Sequence, residues 1–212
     1  MSKKSIDDLI GNLTQDLKPV KPMPCPVMRI LPWIIATSVY VFILVYLTGV
    51  RHDAIAALGK PVFLFEIGLM AYIAISAAIA SSFLSVPDMK GQQWVLTSSL
   101  TAFGVFMGWT VIRMFTEGFQ TPQMHMDHCM GEGVFMAIIP VAALIFYMKR
   151  GCTTRPVMTA FMNVLAITGI GYIGLRFTCS MDVVEHATIT HLLPYVVLGT
   201  LCGVLARRVY KW

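Results

Sequence analysis

Six blocks of apolar residues, each about twenty residues long and separated by short polar stretches, constrain this chain more than any other feature. They lie near residues 30–48, 63–84, 94–114, 133–148, 157–176 and 187–206. A helix needs about 20 apolar residues to cross ~30 Å of hydrocarbon. A crossing segment must also satisfy its own backbone, as a helix or a closed barrel. These blocks are apolar on every face and lack the in–out alternation of barrel strands. The expected fold is therefore all-α, a bundle of six transmembrane helices. The chain is 57% hydrophobic and 13% charged, with a mean hydropathy of +0.72, whereas a soluble domain carries about a quarter charged residues. Little sequence is left for a soluble domain. The first block starts behind a polar, proline-containing segment, which is not the pattern of a cleavable signal peptide.

Orientation follows from Lys and Arg in the short connections. With the N-terminus inside, the cytoplasmic segments hold Lys3, Lys4, Lys18, Lys21, Arg29, Lys90, Lys149, Arg150, Arg155, Arg207, Arg208 and Lys211, twelve of the 16 basic residues. Arg51, Lys60, Arg113 and Arg176 remain, the last two at span ends. The stretches 117–130 and 178–186 contain no Lys or Arg. Both termini are expected in the cytoplasm, in a bacterial inner membrane. The formal net charge of +5 reads as this topology signal, so the lipid bilayer is an expected partner and nucleic acid is not.

Three parts result: a cytoplasmic tail, 1–29; the membrane domain, 30–206; and a basic cytoplasmic C-terminus, 207–212. In the tail, Ile6, Leu9, Ile10, Leu13 and Leu17 follow the spacing of one helix face. Ser5 and Asp8 resemble a capping box, and Asp7, Asp8, Asn12, Gln15 and Asp16 fill the other face. A proline-rich linker, Lys18 to Pro26, follows and favours a stiff extended chain. Helices that lie on bilayers usually carry a basic polar face. An acidic one behind a proline spacer suits docking in a groove of a protein partner.

The chemistry-bearing residues gather on the expected outer side. The third connection reads Met124-His-Met-Asp-His-Cys-Met130, and the fifth reads Cys179-Ser-Met-Asp-Val-Val-Glu-His186, with His191 one turn further. Thiolate, thioether and imidazole suit Cu(I), and thiolate with imidazole suits zinc. His125, His128 and Cys129 are close enough in sequence to share an ion. His186 and His191 are five apart, a poor alignment on an α-helix, though unwinding at the membrane edge would bring them together. A structural Cys129–Cys179 disulfide and inert thiols are the competing readings, and no C-x-x-C pair is present. Cys25, Cys152 and Cys202 read as free structural thiols.

Glu66, Glu132, Arg113 and Arg176 fall at similar depth in the outer halves of their spans. The glutamates are candidate ligands or proton acceptors beside the cluster, or partners of the two arginines in interhelical ion pairs. No span looks broken in the way of a secondary transporter.

Taken in order, these features resemble the NrsF-type anti-sigma factors, negative regulators of an extracytoplasmic-function sigma factor of the sigma-F group. The likeness rests on Ile6-Asp-Asp-Leu9, Leu13 to Pro19, and Pro61 with Phe63-Leu-Phe-Glu66 opening the second span. It continues through His128-Cys129 with Glu132 and Pro140, then Cys179, Asp182, His186 and His191, and ends at Arg207-Arg208-Val-Tyr-Lys-Trp212. The resemblance implies a non-enzymatic protein that holds a sigma factor at the membrane and releases it on heavy-metal or oxidative stress. The paired sensor cysteines would be Cys129 and Cys179, with His125, His128 and His186 as accessory ligands. Met124, Met126 and Met130 tilt the expected signal toward copper. No permanent cofactor is expected; Cu(I), Cd(II) or Zn(II) would act as a signal. The rival classes are a membrane metal transporter and a thiol or quinone oxidoreductase.

Overall fold

The computed structural model describes residues 6–15, 24–86, 91–118, 126–149 and 151–210. Among these every regular element is a helix and there is no strand. The elements are α1 (Ile6–Thr14), α2 (Pro26–Thr48), α3 (Ala54–Leu58), α4 (Pro61–Leu84), α5 (Gln93–Glu117), α6 (Met126–Lys149), α7 (Pro156–Thr178) and α8 (Val184–His186). A π turn (Ala187–Leu192) then runs straight into α9 (Leu193–Val209). Six stretches are long and apolar enough to cross a membrane: α2, α4, α5, α6, α7 and the run Val184–Arg208. The all-α, six-span expectation holds.

The boundaries move outward. α2 starts at Pro26, so the first span begins before residue 30. α6 starts at Met126, where hydropathy alone puts residue 133, and α9 ends at Val209. Polar His and Asp lower a hydropathy average without opposing helix, so the polar first turns of α6 escape a window that reads only apolar content. Cys129 consequently sits inside a helix and not in a connecting loop. Prolines mark several starts: Pro26, Pro61 and Pro156 open α2, α4 and α7, where the missing N–H would have no intrahelical partner anyway.

α7 is the axis of the bundle. Of its membrane-length window 72% is buried, against 22–44% for the other five. Small residues permit this. A Cβ on Gly169 would lie 2.7 Å from the Met70 carbonyl and 2.8 Å from the Ala74 side chain, so α4 and α7 approach backbone to backbone, as small residues allow in membranes. Gly171 leaves room for the Tyr195 hydroxyl, which donates to the Gly133 carbonyl at 3.2 Å and ties α9 to α6. At the other end of α7, the Asn163 amide donates to the Tyr210 hydroxyl at 2.7 Å. The perimeter is apolar: Phe42, Tyr46, Leu47, Phe115 and Val204 are all exposed. Aqueous proteins rarely expose so continuous an apolar surface, and it suits lipid.

Candidate metal centre

Four chain segments meet at one end of α7. Cys129 is in the first turn of α6. Cys179 follows the last residue of α7 with extended backbone (φ −93°, ψ 127°). His186 closes α8, and His191 lies in the π turn. The end of α7 is held from outside the helix. The Arg51 backbone N–H donates to the Phe177 carbonyl at 2.8 Å. Its guanidinium Nη1 donates to the Cys179 carbonyl at 3.0 Å and the Arg176 carbonyl at 3.4 Å. These carbonyls are the ones a helix end leaves without partners, and a cation there also meets the negative end of the helix dipole.

The π turn explains how His186 and His191 come together. Five residues advance about 140° around an α-helix of 3.6 residues per turn, which would aim the rings apart. A π turn closes i to i+5 and brings them edge to face: the ring centroids are 5.2 Å apart at 81°. The His186 Nε2 lies 3.3 Å from the Cys179 Sγ. One potential ligand atom from each of Cys129, Cys179, His186 and His191 lies within 4.8 Å of every other, and all four residues are buried. All five cysteines, Cys129 and Cys179 included, are free.

The cluster is incompletely satisfied by hydrogen bonds. Neither ring nitrogen of the fully buried His191 makes a hydrogen bond of normal geometry, and neither does His186 Nδ1. Buried polar atoms usually have one, and leaving one without costs about 1–3 kcal/mol. Outside the spans, the hydrogen bond from Cys129 holds the Cys179 thiol well below its ordinary pKa, with the His191 ring adding to the effect. This favours the thiolate, the form that binds metals and attacks electrophiles. Tetrahedral bonds of about 2.0–2.3 Å set ligand atoms about 3.3–3.8 Å apart. Shifts of about an ångström would therefore close these four atoms around one ion, and the donor set fits a metal.

A charge network braces the segment between Cys179 and His186. Asp182 accepts from Arg51 at 3.0 Å, Lys60 at 2.9 Å and Arg176 at 3.0 Å. Burial pushes the Asp182 carboxyl up, but hydrogen bonds from Arg51 and Lys60 and the charge of Arg176 overcome it and hold the pKa down at about 2. Arg51 also pairs with Asp53 at 2.6 Å. Deeper in, Glu66 pairs with Arg176 at 3.2 Å and with Arg113 on α5, and it accepts from the Tyr172 hydroxyl at 3.4 Å. The Tyr172 ring meets His191 edge to face at 6.0 Å.

The structure thus brings Cys129, Cys179 and His186 together and adds His191, which the sequence leaves outside the accessory ligands. Met124 and His125 lie outside the described residues. Of Met126 and His128 only the backbone, in the first turn of α6, is described. Glu66 is engaged by the two arginines, while half-buried Glu132 places its charge beside Cys129. Ile6, Leu9, Ile10 and Leu13 of α1 are exposed, and Leu17 lies outside the described residues. Sequence reasoning missed Arg51 and Lys60 as braces, counting them only in a charge tally. Their signal was available: basic residues on the side that the rest of the tally leaves poor in Lys and Arg.

A family model described as NrsF, negative regulator of sigma F, matches residues 13–212 of this chain. No curated protein and no solved structure matches it.

Proposed function

From the premise that the chain belongs to the NrsF family of negative regulators of sigma F, we propose that it is an integral anti-sigma factor of a bacterial inner membrane. It sequesters an extracytoplasmic-function sigma factor and releases it when a heavy metal or an oxidant acts on Cys129 and Cys179. The observation that carries this reading is the family match across nearly the whole chain. Two features support its parts. The exposed apolar residues of α1 supply anchors for a helix-in-groove contact, with residues 1–18 as the main binding element and 149–156 assisting. The distribution of Lys and Arg supports placing both termini on the cytoplasmic side.

In this reading the signal travels along the helices. Ligation or oxidation draws the start of α6, the end of α7 and the α8–π turn segment toward one point, and the opposite ends of those helices shift. A tenfold release requires about 1.4 kcal/mol of coupling between the two faces.

The test is co-purification. The full chain is isolated in mild detergent from its native cells, and retained proteins are identified by mass spectrometry. A sigma factor is expected from unstressed cells, and it is expected to leave on treatment with Cd(II), Cu(I) or an oxidant. Cys129→Ser and Cys179→Ser should each retain the sigma factor without releasing it. The double variant should match the singles, because two parts of one site act as a unit. Absence of any sigma factor from the wild-type preparation rejects the reading.

A further inference from the structure

We propose that Cys129, Cys179, His186 and His191 form one closed four-coordinate site for a divalent cation of the zinc and cadmium class, with His191, delivered by the π turn, as an obligatory ligand. The proposal rests on reading this cluster as the sensor and specifies what it senses and with which atoms.

Three observations carry it. The first is the donor set. Two sulfurs and two imidazoles, buried and within 4.8 Å of one another, form the S2N2 combination that suits tetrahedral Zn(II) and Cd(II). The second is the state of His191: it is fully buried, its ring meets Tyr172 and His186 edge to face, and neither ring nitrogen makes a hydrogen bond of normal geometry. A disulfide between the cysteines, or a Cu(I) held by two thiolates alone, would leave that ring as unsatisfied as before. A four-coordinate cation satisfies one nitrogen of each imidazole. The third is charge. Two thiolates and a divalent cation sum to zero, which a buried site tolerates, whereas two thiolates around Cu(I) leave a net negative charge to bury. The methionines around Cys129 pointed toward copper; the ligand atoms that converge here point to a harder, divalent ion.

The π turn is the second element of the inference. It is the local winding that stacks residues five apart, so it places His191 at the site, and such turns occur frequently at functional positions.

The test uses the full-length, reduced, metal-free protein in detergent, without any sigma factor. Titration with Co(II) alone is expected to give one equivalent bound, with the intense visible bands of a tetrahedral, thiolate-ligated ion, and Zn(II) and Cd(II) should each displace it. His191→Gln should weaken Co(II) binding at least about tenfold, since even outer partners of metal ligands cost about 10–100-fold when removed. X-ray absorption of the wild-type Zn(II) form needs no variant to fold, and it should show two sulfur and two nitrogen neighbours. An octahedral Co(II) spectrum, a zinc shell without two nitrogens, or unchanged affinity in a folded His191→Gln protein overturns the proposal. The outcomes also separate this inference from the sensor reading. Tight S2N2 binding without sigma-factor release keeps the site and rejects the sensor. Release through the cysteines with no histidine in the metal shell keeps the sensor and rejects the site.

Discussion

Loss of the Glu66 carboxylate should cost the bundle heavily. Its side chain is 4% exposed and it faces two arginines, Arg113 and Arg176, on different helices. Removing one partner from a buried ion pair leaves uncompensated charge and costs about 3–5 kcal/mol. Glu66→Gln should therefore lower the thermal midpoint in detergent strongly, whereas Glu132→Gln, half-buried, should lower it much less. Glycine positions make a second, sharper comparison. Gly169→Ala puts a methyl group against the α4 backbone and should destabilise by about 1–3 kcal/mol. Gly104→Ala, which meets nothing within 4 Å, should stay within about 0.5 kcal/mol of wild type. At this scale the sequence was partly readable. Equal depth in neighbouring spans was enough to suggest Glu66 with Arg113 and Arg176. It could not show Arg51 folding back over the end of α7, because that contact joins positions 125 or more residues apart and nothing in local composition encodes it.

Among the elements, α1 is the one whose apolar side chains face outward. Leu9 and Leu13 are 53% and 66% exposed, so Leu9→Asp or Leu13→Asp should leave the thermal midpoint of the bundle unchanged. Each buried leucine is worth roughly 1.5–3 kcal/mol, so either change should weaken retention of the partner about tenfold or more. Pull-down at graded concentrations checks this, and wild-type retention by both variants would move the docking surface elsewhere. The segment between α7 and α8 should respond to acid. Asp182 has its pKa lowered to about 2 from an ordinary value near 4. Its stabilising contribution is complete above about pH 4 and is lost as pH falls through about 2. Acid unfolding curves of wild type and Asp182→Asn should differ above pH 4 and converge near pH 2. Element existence was legible from hydropathy alone. Element edges were not, because the polar turns that open α6 and α8 carry the chemistry and so dilute the apolar signal that would reveal them.

For the whole molecule, the division of Lys and Arg predicts that reporter fusions at Trp212 and near Lys90 are cytoplasmic and that fusions within 117–130 and 179–186 are external. An external C-terminus would reject the proposed orientation. The central place of α7 was not legible in advance, since all six spans read as similarly apolar and only packing distinguishes an axial helix from a peripheral one. Its glycines at 169, 171 and 174 were the unused clue. The π turn has a consequence for the ancestry of the fold. It is one residue longer than the α turn it replaces, and histidines four apart on an ordinary α-helix share a face. Deleting Thr188 should therefore turn 184–209 into unbroken α-helix while keeping the two imidazoles side by side. A chain one residue shorter at this place would do the same work from a plain helix, so the spacing of the pair and the local chain length should drift together among descendants of a common gene: five apart with the extra residue, four apart without it.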